Sequence, residues 1–184
     1  EEYAKLADDI RAALHREFID DDGRIKGDTQ AGYALALHFG LVPDELHDAA
    51  VAHMVEAVQR YDGRISTGIQ STIRLMMQLT WNGRADLAYD LALSRRMPSW
   101  GYSIDQGATT IWERWDGYVE GRGFQNPGMN SFNHWALGAV GEWLFRVVGG
   151  INPENGDCTK RSGFPGAQTE SSPSFEPAYK RFVI

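Results

Sequence analysis

Asp28-Thr29-Gln30-Ala31-Gly32-Tyr33-Ala34-Leu35-Ala36-Leu37-His38-Phe39-Gly40 reads as one complete helix. Asp28 or Thr29 supplies a capping oxygen, Tyr33, Leu35, Leu37 and Phe39 supply apolar mass, and Gly40 supplies the stop. The same grammar extends in both directions. Before it, Tyr3 to Phe18 places Leu6, Ile10, Leu14 and Phe18 at a spacing of four, and Asp20-Asp21-Asp22-Gly23 ends that helix with turn chemistry. Three aspartates before a glycine suggest a calcium loop, but the alternation of ligands and the closing Glu are missing, so the segment reads as a solvated turn. After it, Pro43 opens a third helix with Leu46, Ala50, His53, Met54, Ala57 and Val58 on its buried stripe. Thr67-Gly68 leads into a fourth through Ile73, Leu75, Met76 and Leu79. Asn82-Gly83 breaks the chain, and Leu87, Leu91 and Ala92 continue in a fifth that ends near Arg96. His38, His47 and His53 fall on these helices without metal-ligand spacing and read as packing or surface residues.

The pattern changes after Met97. From Pro98 to Asn130 the chain is rich in Gly, Trp and Thr, with one short helical candidate at Thr110–Trp115. A further helix is predicted from Ser131 to Val148, with Trp135, Leu137, Val140, Leu144 and Val147 on its inner face. Asn152 to Pro177 is a Pro-, Gly- and Ser-rich connector, and Ala178 to Ile184 alternates like the first strand of a β-domain. The fold class is therefore all-α, about six helices in antiparallel hairpins interrupted by one long loop. Long loops inside compact domains are usually functional.

The bulk numbers narrow the partner. The 184 residues carry 42% hydrophobic and 23% charged side chains, a globular composition with no stretch suited to a bilayer. A formal net charge of -7 argues against nucleic acid and anionic membranes. A neutral ligand such as a sugar fits that charge. The single cysteine, Cys158, excludes a disulfide framework and a thiolate metal site but leaves the compartment open. No signal peptide is visible, and a start within a helix suggests a piece of something larger. All six tryptophans lie between Trp81 and Trp143. Clustered indoles serve either as core packing or as platforms for the C–H faces of a pyranose.

Within the loop, Trp112-Glu113-Arg114-Trp115 sets one carboxylate among indoles. Burial among the rings, or pairing with Arg114, would set its protonation, as expected of a general acid or base. The competing reading is a structural Glu–Arg pair. Downstream, Asn130 and Ser131 offer helix-capping groups, and His134 falls in the first turn of the following predicted helix. A helix N-terminus disfavours the imidazolium, so His134 suits a neutral contact with a hydroxyl better than nucleophilic attack.

Pro98-Ser99-Trp100-Gly101-Tyr102, Gly107-Ala108-Thr109-Thr110-Ile111-Trp112-Glu113-Arg114-Trp115 and Met129-Asn130-Ser131-Phe132-Asn133-His134 resemble the signature stretches of bacterial α-L-rhamnosidases, in the family's order. Gly27 to Leu37 and Ser66 to Thr72 are similar to its less specific helical segments. The resemblance spans roughly Asp28 to Ile151. It implies an (α/α)6 barrel followed by a β-sandwich, with residues 1–151 forming the C-terminal half of the barrel and 152–184 leading toward the sandwich. It implies hydrolysis of terminal α-L-rhamnosides with inversion, Glu113 as general base and His134 in contact with rhamnose. Trp100, Tyr102, Trp112 and Trp115 are implied to line the pocket. No cofactor or metal is called for. The partner is a rhamnose-containing glycoside, with the other half of the barrel or a second copy covering exposed helix faces.

Inversion needs two carboxyl groups separated by roughly 6.5–9.5 Å. The resemblance places the general acid in an acidic motif ahead of these helices. No such motif stands here, and Asp20–Asp22 lack its aromatic surroundings. Two other readings follow: another glycosidase on the same barrel, or a carbohydrate-binding domain without catalysis.

Overall fold

In the computed structural model, residues 2–151 are described, and the expected connector and terminal strand lie outside them. The helices are α1 (Glu2–Phe18), α2 (Gln30–His38), α3 (His47–Arg60), α4 (Thr72–Trp81), α5 (Ala85–Leu93), α6 (Trp100–Asp105) and α7 (Val140–Trp143). A 3-10 turn at Ala136–Ala139 precedes α7, and a π turn at Leu144–Val148 follows it. The strands β1 (Tyr118–Val119) and β2 (Gly123–Phe124) form a small antiparallel hairpin.

The opening stretch folds as its chemistry requires. Thr29 Oγ1 accepts from Gly32 N at 3.1 Å, a cap that contributes about 1 kcal/mol. Gly40 takes φ 62° beyond the last turn, and Leu41 N donates back to Ala36 O at 2.9 Å. The aspartate run before α2 is a turn. Gly23 takes φ 79° against α3, where a Cβ would lie 3.0 Å from Ala49 Cβ.

Buried polar groups fix how the helices stack. The fully buried Gln30 donates to Arg64 O at 2.9 Å, and its Oε1 accepts from Ser66 N at 2.8 Å. The start of α2 is thereby tied to the segment that leads into α4. At the far end of α3, Arg60 Nη2 donates to Asp28 O at 3.0 Å, so α3 runs antiparallel to α2. α5 returns from α4 across Asn82-Gly83-Arg84. α7 packs on α4, where the buried Trp143 donates to Thr80 Oγ1 at 2.8 Å and meets Tyr89 edge-on. A row of α2, α4 and α7 thus has α3 and α5 packed against it, with Tyr33, Leu37, Met54, Leu75, Met76 and Leu79 between. This is the hairpin architecture that the periodicity predicts.

Four local expectations change. α1 forms but buries no residue: Leu6, Ile10 and Phe18 stay exposed, and only Leu14 reaches the core. α5 stops at Leu93, short of Arg96. The short helix stands at Trp100–Asp105, because Ser99 Oγ accepts from Tyr102 N at 2.9 Å and caps it. Thr110–Trp115 holds no helix; the β-branched run Thr109-Thr110-Ile111 favours an extended course. The last helical stretch begins at Ala136, so His134 precedes it and Trp135 is 79% exposed instead of facing inward.

Candidate active site

The loop between α5 and α7 is pinned at the end where α2 and α4 begin. Trp115 Nε1 donates to Thr67 O at 2.7 Å, just ahead of α4. Trp100 Nε1 donates to Leu137 O at 3.1 Å, just ahead of α7. The two indoles meet edge-to-face with centroids 5.0 Å apart. α6 lies so close to the end of α5 that a Cβ on Gly101 would collide with the Ser94 carbonyl. Two rings and one glycine therefore set the base on which the loop stands.

Above that base, two extended segments clasp each other. Glu113 N donates to Ser131 O at 2.9 Å, and Ser131 N donates to Glu113 Oε2 at 2.8 Å. Three residues further along, His134 N donates to Ile111 O at 2.8 Å. Thr110 Oγ1 donates to Phe132 O between them. Trp112 is buried and meets the Phe132 ring edge-on at 5.1 Å. The clasp holds Glu113 and His134 on neighbouring segments although 21 positions separate them in sequence (134 − 113).

The pairing of Glu113 with Arg114 does not form. Arg114 instead grips Asp116 with two bonds of 2.8 and 3.0 Å, and the hydrogen bond holds the Asp116 carboxyl below its usual range. Glu113 is left half-buried, its Oε2 on Ser131 N–H and its Oε1 without a hydrogen-bond partner among the described residues. At His134 the donor is Ala136 N, 3.2 Å from Nδ1. Nδ1 therefore accepts, and the neutral ring carries its proton on Nε2, a donor suited to a hydroxyl. The Trp135 indole lies nearly parallel to the His134 ring, at 6.2 Å and 13°.

The other expected pocket residues divide. Trp100, Trp112 and Trp115 line one cavity of about 240 Å³ together with Ile104, Ile111 and Leu137. Glu113 and His134 are not in its wall, so this cavity is lined by the indoles without the carboxylate or the imidazole. Tyr102 points to the hairpin: its hydroxyl donates to Tyr118 O at 3.5 Å and accepts from Glu120 N at 3.1 Å. Asn130 and Ser131 do not cap the following helix. Asn130 Nδ2 donates to Gly117 O at 2.8 Å and Gln125 O at 2.6 Å, fastening the hairpin to the clasp. Sequence reading misses these roles because the partners are backbone groups, which carry no residue signature. Among the described residues no group of three or more His, Cys, Asp or Glu side chains is placed to hold a metal.

The domain described as the bacterial alpha-L-rhamnosidase 6 hairpin glycosidase domain matches residues 1–148. The chain belongs to that family. An alpha-L-rhamnosidase of Streptomyces avermitilis is 48% identical over 151 residues, 82% of this chain and 15% of that protein. One from Formosa agariphila is 40% identical over 153 residues, again 82% of this chain and 16% of the relative. Among solved structures, the S. avermitilis rhamnosidase in complex with L-rhamnose superimposes with a TM-score of 0.80 at 47% identity, covering 84% of this chain and 15% of that one. The Aspergillus terreus rhamnosidase gives 0.76 at 35% identity, covering 83% and 18%. The chain thus spans about one-sixth of the length of these rhamnosidases, and its all-helical hairpins are those of the family.

Proposed function

We propose that the chain is the C-terminal half of the catalytic barrel of an α-L-rhamnosidase and supplies the water-activating side of an inverting active site. The observation that supports this best is the clasp, which brings Glu113 and His134 onto hydrogen-bonded neighbouring segments at the end where α2 and α4 begin. A relative 47% identical in sequence was solved with L-rhamnose, which makes a terminal rhamnoside the favoured substrate.

In this reading Glu113 is the general base. Water attacks the anomeric carbon from the face opposite the leaving group and gives its proton to Glu113. The glycosidic C–O bond breaks, its electron pair goes to the aglycone oxygen, and a carboxylic acid outside the present 184 residues protonates that oxygen. His134 donates from Nε2 to a rhamnose hydroxyl. Trp100, Trp112 and Trp115 enclose an apolar cavity next to the Glu113 segment and support that segment, and Tyr102 contributes by holding the hairpin. The chain without its acid is inactive.

The test is Glu113→Gln in the full-length protein, assayed on a nitrophenyl α-L-rhamnoside. Turnover is expected to fall by about 10²–10⁴, the scale of general-base catalysis. Near-wild-type turnover overturns the assignment. Release from a glucoside or a uronide in place of the rhamnoside would support another glycosidase on this barrel.

A further inference from the structure

The two oxygens of Glu113 are not equivalent. Oε2 accepts the Ser131 N–H at 2.8 Å, and Oε1 has no hydrogen-bond partner among the described residues. A carboxylate at the end of a Glu side chain otherwise rotates over a broad, roughly two-fold torsional range. A charge-assisted hydrogen bond from a fixed peptide removes that freedom. What fixes the peptide is the preceding residue. Asn130 Nδ2 spans two backbone carbonyls, Gly117 O at 2.8 Å and Gln125 O at 2.6 Å, at the base of the hairpin. Gln125 N closes the same base by donating to Gly117 O at 3.0 Å. Gly117 leaves the Asn130 amide just enough room: a Cβ there would lie 2.8 Å from Asn130 Oδ1 and 3.4 Å from the Phe132 ring. The Ser131 peptide then bonds Glu113 twice, through its N–H to Oε2 and its carbonyl to Glu113 N.

We infer that Asn130 is a positioning residue for hydrolysis: it locks the Ser131 peptide so that Glu113 presents Oε1, and Oε1 is the oxygen that takes the proton from water. This rests on the reading of Glu113 as general base. Asn130 touches neither substrate nor water in this scheme and acts through Ser131 and Glu113. The device explains why the hairpin is held from two sides, by Tyr102 at Tyr118 and Glu120 and by Asn130 at Gly117 and Gln125.

The test uses the full-length protein and a nitrophenyl α-L-rhamnoside, with Asn130→Ala, Asn130→Asp, Glu113→Gln and each pairing of the first two with the third. Asn130→Asp keeps the shape and removes both donors, so it carries the test if Asn130→Ala fails to fold. Each Asn130 variant is expected to lower kcat by about tenfold to a hundredfold, the cost of a small misplacement of a catalytic group, with KM changed less than about threefold. In the Glu113→Gln background the same substitutions are expected to lower kcat by less than about twofold, because residues acting as a unit are not additive. Unchanged kcat in the Asn130 variants, or full additivity with Glu113→Gln, overturns the positioning role. Wild-type kcat in Glu113→Gln alone overturns the general-base reading instead, so the two failures are told apart.

Discussion

At His134 one hydrogen bond sets the chemistry. With Nδ1 accepting from Ala136 N, the ring offers Nε2–H outward and has no second lone pair to act as a base toward a ligand. His134→Ala in the full-length protein should therefore raise KM more than it lowers kcat, because it removes binding common to ground and transition states. Steady-state kinetics showing the reverse would give His134 a chemical role. Glu113 shows the complementary lesson. Its two indole neighbours are visible in Trp112-Glu113-Arg114-Trp115, but its anchor is a backbone N–H 18 positions away. A main-chain donor looks the same under every side chain, so no reading of residue types finds it.

At the scale of elements, α2 carries a pH-sensitive start. The Tyr33 hydroxyl donates to Asp28 Oδ1 at 2.6 Å, while Arg24 and Arg60 approach the same carboxylate at 2.8 and 3.0 Å. The bond from Tyr33, with the two guanidiniums, holds Asp28 below the usual carboxylate range. Burial, with the Asp28 bond, pushes Tyr33 up to about 12. The signs are opposite at the two extremes. Asp28 stabilises the fold fully above its unfolded value of about 3.9, and that contribution is lost as pH falls through its depressed folded value. Tyr33 stabilises fully below its unfolded value of about 10, and that contribution is lost as pH rises through about 12. In melting curves across pH, Asp28→Asn should flatten the acid limb and Tyr33→Phe the alkaline limb. Unchanged limbs would show that the cluster is not coupled to folding.

The helices were legible for a physical reason. In α2 to α5 the buried faces pack on one another within the chain, so hydrophobic spacing and capping agree with the outcome. Between Met97 and Ala136 the organising contacts are indole N–H to carbonyl and peptide to peptide, which leave no period. There the short helix stands at Trp100–Asp105 instead of Thr110–Trp115, and the last helical stretch starts at Ala136, five residues after Ser131. The sequence signal for α6 is Ser99, a capping residue directly ahead of Trp100 whose force Gly101 in the first turn obscures.

For the whole molecule, the decisive feature is apolar surface exposed among the described residues. Leu6, Ile10 and Phe18 on α1 are each more than half exposed, as are Phe124, Trp135 and Phe145 around the loop and the last helix. Apolar side chains exposed in such number favour association. The 184-residue chain expressed alone should sediment as a concentration-dependent mixture and should not hydrolyse rhamnosides. A single monomeric boundary at all concentrations, with a cooperative melt, would refute that. The same chain within the full-length protein should show neither defect.

The Trp115–Thr67 bond has a consequence for the order of assembly. The hairpins α2–α3 and α4–α5 join residues close in sequence, so their loop-closure cost is small. The Trp115 indole reaches back 48 positions, while the clasp joins residues only 18 to 23 apart. The bonds that stack the helices, Gln30 to Ser66 and Trp143 to Thr80, span 36 and 63. Loop closure therefore favours a clasp that closes within its own segment, and the Trp115–Thr67 bond then seats that segment at the start of α4. The Ser131 amide hydrogen should gain protection from exchange as soon as the clasp closes, whether or not the helices have finished stacking.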